Sequence, residues 1–562
     1  MRLLMILLAM ICLCPSMRAQ SLSDMDKIMA FLGSDDLVEV ASEEVERLEN
    51  LLAHPIRLNC VSEAVLRSCG LFSAYQVAVI EDYISPHGPI KSLLEFSMLD
   101  GMGNDFAYKV APFIDLQTEK LSDSSYSKHL RHDMAVKGSY ILREGNDSDG
   151  SYGLKLRVDS PGKFTSSFAV SRASGGSSWS PSSISGSLAW QMKRIPLRLT
   201  IGDYYARFGQ GLVLWSSSFM SNLTSPEAFM KKPSGITQPW SFAGSSAMTG
   251  LAAEFDCNKI KLSYIASLFD SKTALNIAWF GKIGQISLTN VVDFAWKSNN
   301  SMVNVITGLD AAFCIRGVNL FGEMSYNWSS RVPSLVTGSR FGAGDHIDIA
   351  VQLRALERNE YGAALSGAFK FGTRLPSAGT LSLDVVHYPE SKEEGEPYSL
   401  QMKSQLNWEM SLSETWKIKF RLSERLRTWG FAFRTDVRSD ISYSFQPFIV
   451  NMRVNFLNCD KTGFLSYLEG GYNGEKISLY LRQGVFFIDD WDDRIYVYER
   501  DAPSSFNVPA MYGRGVWTAL TSSWKTTSRL KIYARASFTA YPFMTKKKPG
   551  KAELKLQLQY RF

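Results

Sequence analysis

The sequence predicts a mainly β protein: a large antiparallel transmembrane β-barrel of about 18–22 strands, preceded by a small all-α domain. Three observations carry that expectation. From about His132 onward, over four hundred residues alternate apolar and polar with no helical pattern to cover a second face. The N-terminus reads as an export leader. The chain closes on Phe562, at the end of an unbroken alternating strand.

Composition excludes several other classes. Among 562 residues, 45% are hydrophobic and 12% aromatic, more than a disordered chain can leave in water. With 41 Gly and 20 Pro and no sustained heptads, neither a collagen nor a coiled coil fits.

At the N-terminus, Arg2 precedes the apolar run Leu3 to Leu13. Pro15 and Ser16 break that run, and Ala19 offers a small residue before a cut at Gln20. Residues 1–19 are therefore expected to be a signal peptide, with a run too short for a membrane anchor. Five cysteines follow: Cys60, Cys69, Cys257, Cys314 and Cys459. Their spacing suits no metal, and Cys60 and Cys69 are expected to be small thiols rather than a disulfide.

Residues 21–120 read as helical. Ser42 precedes Glu43-Glu44 and Ser62 precedes Glu63, while Ser73…Gln76 and Ser92…Glu95 form capping boxes. Val77, Ile80, Tyr83 and Ile84 recur at helical spacing.

Residues 121–562 read as strands. Leu154, Leu156 and Val158 alternate with Lys155, Arg157 and Asp159. Trp416, Ile418, Phe420 and Leu422 alternate with Lys417, Lys419, Arg421 and Ser423. Leu530 to Phe538 and Leu554 to Phe562 repeat the pattern. Asn146-Asp147-Ser148-Asp149-Gly150, Ser160-Pro161-Gly162 and Lys548-Pro549-Gly550 are expected turns. A soluble antiparallel sandwich shares this alternation but needs a second layer. A closed barrel does not, because lipid covers its apolar face. With both ends periplasmic, the long segment Ala206 to Ser245 becomes an external or inward-folded loop, and a second loop-like segment runs from Asp489 to Gly515.

Two resemblances follow from these residues. Leu58-Asn59-Cys60-Val61-Ser62-Glu63, Gly88-Pro89-Ile90-Lys91-Ser92 and Gly101-Met102-Gly103 resemble a competence-type DNA receptor module, a tandem helix-hairpin-helix. The first hairpin, Cys69-Gly70-Leu71-Phe72, lacks the second glycine of that pattern. Gly202-Asp203-Tyr204, Phe208-Gly209-Gln210-Gly211-Leu212 and Arg494 to Glu499 resemble large barrels described as helix-hairpin-helix domain-containing proteins. The ending Tyr560-Arg561-Phe562 resembles the C-terminal signature of Gram-negative outer-membrane barrels. These resemblances imply an outer-membrane location with the helical domain in the periplasm. They also imply outer-membrane lipid and the barrel assembly machinery as partners, with Tyr560 and Phe562 as assembly signal.

Charge divides at the same boundary. Residues 22–120 hold seven basic and seventeen acidic side chains, a net −10, which leaves +14 for residues 121–562. If the helical domain binds DNA, the resemblance assigns the role to Gly101, Gly103 and Lys109: free N–H groups at a helix start and one cation. Its acidity favours a docking or lumen-filling role instead. Alternation points Lys155, Arg157, Arg198, Lys417, Lys419, Arg421, Lys531, Arg535, Lys555 and Arg561 into the lumen. There they would favour anions or be offset by acidic residues of the helical domain.

Enzymatic chemistry has little to stand on. His129, His132 and Asp133 lack a fourth metal ligand, and Asp489, Asp490, Asp492 and Asp493 fit no calcium loop. No cofactor is expected. The functional expectation is a non-enzymatic passage or assembly role at the outer membrane, with nucleic-acid handling as its sharpest form. The alternative is a structural or docking protein whose helices fill the barrel or recruit a periplasmic partner.

Overall fold

A computed structural model of the protein describes residues 24–33, 40, 42–117, 130–160, 162–176, 178–192, 194–216, 223–242, 246–297, 300–344, 346–357, 359–372, 375–392, 396–430, 433–505, 507–545 and 548–561. The expected signal peptide, His129 and Phe562 lie outside these residues.

Among the described residues six α-helices come first: α1 (Asp24–Leu32), α2 (Ser42–Ala53), α3 (Glu63–Ser68), α4 (Ala74–His87), α5 (Leu93–Ser97) and α6 (Gly103–Val110). The capping box at α4 forms as its sequence dictates: Ser73 Oγ accepts from Gln76 N and Gln76 Oε1 accepts from Ser73 N. At α5, Ser92 Oγ accepts from Glu95 N, but the Glu95 carboxylate reaches back to Lys91 N instead. The helices enclose an apolar core that includes Ile28, Leu48, Leu66, Val77, Phe96 and Phe113, all fully buried. Asn59 ties the domain shut. Its Nδ2 donates to Ile90 O and Leu116 O, each at 2.9 Å, and its Oδ1 accepts from Ile90 N at 2.9 Å. Beside it, Ile56–Arg57 pairs in parallel with Ile114–Asp115. Cys60 and Cys69 are free thiols.

Among the described residues, twenty-four antiparallel strands close a barrel, from Arg131–Arg143 to Lys551–Arg561. The last strand pairs with the first, Tyr560 opposite Met134 and Arg561 opposite Asp133, so no edge remains. The count exceeds the 18–22 expected because many reversals use only two residues, such as Asn258-Lys259, Lys282-Ile283 and Arg316-Gly317. Asn146-Asp147-Ser148-Asp149-Gly150 also belongs to a strand, Asn146–Ser160, rather than to a turn. The reversal is Glu144-Gly145, with Gly145 at φ 76°. Asp149 lies at the rim, where its carboxylate accepts from Gly175 N and from Arg172.

The last strand illustrates the two faces. Leu554, at 60% exposure, and Leu556, Leu558 and Tyr560 point outward, while Gln557, at 3%, and Gln559 point inward. Such an apolar exterior is covered by hydrocarbon in a bilayer, where closure satisfies every backbone group. No described helix is long and apolar enough to cross a membrane. The barrel is therefore of the outer-membrane type, and it spans with strands.

The two barrel ends differ. One carries only short turns; the other carries the long connections 208–247 and 489–512. Both long connections turn inward. Gly235–Thr237 pairs with the upper part of the fifth strand (Leu197–Arg207), while Phe229, Ile236, Ile495 and Val497 are buried.

Candidate functional site: an acid–base seat inside the barrel

The helical domain stands inside the barrel rather than as a separate periplasmic body. It bonds to wall residues on several strands and to loop residues. His54 Nε2 lies 2.8 Å from Asp133 Oδ2 on the first strand. Glu44 lies 3.5 Å from Arg207 on the fifth. The Arg67 guanidinium stacks over Phe280, 3.8 Å from the ring centre. Asp82 pairs with Lys282 at the short-turn end at 3.1 Å, and Asp105 pairs with Lys370. Physically this follows from the charge division: a −10 domain lowers its energy inside a basic lumen.

The inward loops meet the domain from the other side. Lys109 Nζ lies 2.9 Å from both Asp105 and Glu227 of the first loop. Lys232 Nζ donates to Leu71 O at 2.8 Å, and Ser246 Oγ to Glu43 at 2.9 Å. In the second loop, Ser504 N donates to Glu49 Oε2 at 2.8 Å, and Tyr498 packs on the helical core.

Burial and charge tune these groups in opposite senses. Burial would raise Glu44, but Arg47, Arg207 and Lys232 override it and hold its pKa at about 2. Burial wins at Glu46, raised to about 8 against the pull of Lys155 and with Glu49 adding repulsion. Burial also raises Glu49 to about 7, although Ser504 and Lys155 oppose it. Glu227 is held well below the carboxylate range: burial is outweighed by Lys109 and Arg340.

The expected lumen cations do face inward, and most meet a carboxylate. Arg535 pairs with Glu499, and Lys555 with Asp501 at 2.8 Å. Arg561 lies 3.5 Å from Asp133, and Arg198 lies 3.9 Å from Glu254. Lys417 and Lys419 share Glu409 at 3.6 and 2.8 Å. Lys155 is buried, donating to Trp240 O at 3.0 Å and Ser504 Oγ at 2.6 Å. Arg157 stacks near Trp240 and Lys531 over Tyr533. Arg421 borders a cavity on the wall formed by the strands Trp416–Arg427 and Phe433–Phe445.

Gly101 and Gly103 form an exposed turn at the start of α6, with φ 72° and 69°. Lys109 does not join them as a free cation; Asp105 and Glu227 hold it. Tyr560 faces outward in the closing strand. Of the acidic run, Asp493 accepts from Asp460 N and Lys461 N, and Asp489 pairs with Arg514 at 2.6 Å. Among the described residues no His, Cys, Asp and Glu group has the makings of a metal site.

Sequence reasoning missed Glu323, a buried carboxylate on the inner wall. It accepts from Gln210 N, Leu212 N and Val213 N at 2.6, 3.0 and 3.2 Å, anchoring the first loop. The clue was the Gly209-Gln210-Gly211 run: Gly209 and Gly211 have φ of 61° and 88°, a conformation that turns successive N–H groups toward one anion. Sequence reasoning also missed Glu469, which holds Arg482 and Arg500 at 2.6 and 3.0 Å.

No protein-family model and no curated protein matches the chain. Among solved structures, the siderophore receptor PirA from Pseudomonas aeruginosa is similar over 77% of this chain and 80% of its own, at 8% identity and TM-score 0.41. PirA from Acinetobacter baumannii covers the same shares at 9% identity and TM-score 0.38. OccK2 (OpdF) from Pseudomonas aeruginosa covers 77% and 98%, at 7% identity and TM-score 0.30. These are distant likenesses between barrels.

Proposed function

We propose that the protein is a non-enzymatic passage protein of the Gram-negative outer membrane, its lumen closed by its own helical domain. The observation that carries this reading is the chemistry of the seat. The domain keeps its apolar core to itself, apart from Tyr498, and meets the wall largely through ion pairs and hydrogen bonds. Water can replace such contacts at modest cost, whereas an apolar seal would have to be exposed outright. A polar seat therefore supports a domain that leaves or rearranges to open a path.

Single-channel recording in planar bilayers tests this. The full chain is expected to conduct little, and a variant lacking residues 24–117 to form large, stable pores. Equal, negligible conductance from both would overturn the reading.

A docking role is a second reading. Helices α5 and α6 pack together and expose Leu94, Met98 and Tyr108, with Met98 at 77% exposure, on a domain whose Asp82 marks the short-turn end. A partner protein engaging that surface would supply the energy to unseat the helices. Nucleic-acid handling rests on the exposed Gly101-Met102-Gly103 turn. It is weakened by the engagement of Lys109.

A further inference from the structure

We infer that the lumen holds a binding site for a multiply charged oxyanion, built on a stretch of wall where the helical domain lines no part of the cavity. This deepens the passage reading by naming a class of cargo.

The site begins with strand register. In the strands Trp416–Arg427 and Phe433–Phe445, Arg421 stands directly opposite Arg438, and Arg425 directly opposite Arg434. Between these rungs, Ser423 faces Asp436. Alternation puts all six on the lumen side, since Phe420, Leu426 and Phe433 are exposed on the outer face. Like charges directly opposite each other destabilise a sheet, and two such rungs in succession are costly without a counter-charge.

Neighbouring elements make a chamber over this ladder. Arg453 and Asn455 come from the next strand and Lys403 from the preceding one. Arg494 to Val497 and Leu223-Thr224 of the inward loops supply a roof. The cavity is about 350 Å³ and is bordered by seven basic and three acidic residues. One acidic residue, Glu424, alternates onto the outer face with Leu422 and Leu426. The other two are Asp384, which pairs with Arg354 at 2.7 Å, and Asp436.

Elsewhere in the lumen, carboxylates of the helical domain and loops meet the cations. Here the helical domain contributes no lining residue among those described, so its negative charge is spent elsewhere. Asp440 serves Arg438 and Arg453 from beside the chamber, at 2.9 and 2.5 Å. Arg434 donates to the carbonyls of Asp492 and Arg494 at 3.0 and 3.2 Å, which fixes its guanidinium without neutralising it. Among the buried polar atoms bordering the chamber, Arg425 Nε and Asn455 Oδ1 have no hydrogen-bond partner among the described residues. Asn455 is 95% buried, with 5% of its surface exposed. The donor calls for an oxyanion and the acceptor for a hydroxyl or N–H on the same ligand. Guanidinium groups in a shielded chamber bind phosphate and carboxylate by charge-assisted, often bidentate bonds. A phosphate ester or a hydroxylated polycarboxylate meets these demands in the volume available.

The test uses the full chain in detergent at constant ionic strength. Thermal unfolding and calorimetric titration are run with pyrophosphate, citrate, acetate and glucose. Saturable binding and a raised Tm are expected with pyrophosphate or citrate, whichever group the ladder prefers, and neither effect with acetate or glucose. Arg425→Gln is expected to weaken binding about tenfold. The double variant Arg425→Gln/Arg434→Gln should lose the anion-dependent rise in Tm. Arg514→Gln, at the outer rim, should bind like the parent. No saturable binding of either polyanion, or equal binding by the double variant, would overturn the site. Binding without any conductance change in the chain lacking residues 24–117 would keep the site and sink the passage reading.

Discussion

Gln210 N donates to Glu323 Oε2 across 2.6 Å, joining an inward loop to the barrel wall over more than a hundred residues of sequence. Two further N–H groups, of Leu212 and Val213, reach the same carboxylate. The pairing depends on bare glycine: a Cβ on Gly209 would sit 2.7 Å from Glu323 Oε2.

Replacing Glu323 with Ala should therefore free the first loop. Three N–H groups lose their acceptor, two of them in or near the buried run around Gln210, and stability should fall by about 2–4 kcal/mol. Gly209→Val should act in the same direction through the clash. Limited proteolysis between residues 208 and 242 reads the outcome, and unchanged cleavage would contradict the anchoring role.

At the helical seat, Glu44 is shared by Arg47 and Arg207. Glu44→Gln leaves one buried guanidinium, of Arg207, and one partly buried, of Arg47, without their anion. The cost is expected to be about 2–4 kcal/mol to seating. Hydrogen exchange of α2 should increase, while exchange within the barrel strands stays as in the parent.

Seating should weaken as pH rises. Glu46 and Glu49 carry pKa values near 8 and 7 when seated, above the ordinary 4.5. Groups raised in the seated state favour it while protonated. That contribution declines as pH climbs from about 4.5 to about 8, when both carboxylates become charged in a confined space. Lys155, Lys137, Ser504, Ser241 and Asp24 face these groups and shape the curve. Exchange protection of α2, corrected for intrinsic rates, should be higher at pH 6 than at pH 9. Glu46→Gln should flatten the difference; an unaltered pH profile would contradict the assignment.

The outer face of the closing strand offers a separate test. Leu556→Lys places a cation in hydrocarbon and should cost about 2–4 kcal/mol, whereas Leu556→Ile should refold normally. Deleting Phe562 should slow assembly, as its resemblance to a C-terminal insertion signal implies. Heat-modifiable gel mobility and membrane fractionation measure both.

Much of the fold was legible in the sequence because its signals are local. The capping box at Ser73 and Gln76 needs only three residues of spacing, and it formed. The alternation of Leu554, Leu556 and Leu558 with Lys555 and Gln557 sorts one face from the other whatever the neighbouring strand is. The inward direction of Lys155, Arg421 and Arg535 follows from the same period. The charge division between residues 22–120 and 121–562 already made acidic helices a natural counterpart to a basic lumen.

Only the tertiary structure decided the number of strands, the place of the helices and the partners of each charge. Strand number depends on how many residues each reversal consumes, and two-residue turns look like more strand. The seat of Glu44 on Arg207 and the hold of Glu323 on Gln210 join residues far apart in sequence. The Arg421–Arg438 and Arg425–Arg434 rungs depend on register. A single sequence carries each residue's face but not its opposite number, because pairing is set when the whole sheet closes. The chamber those rungs border exists only after closure, when loops from two distant parts of the chain fold down to cover it.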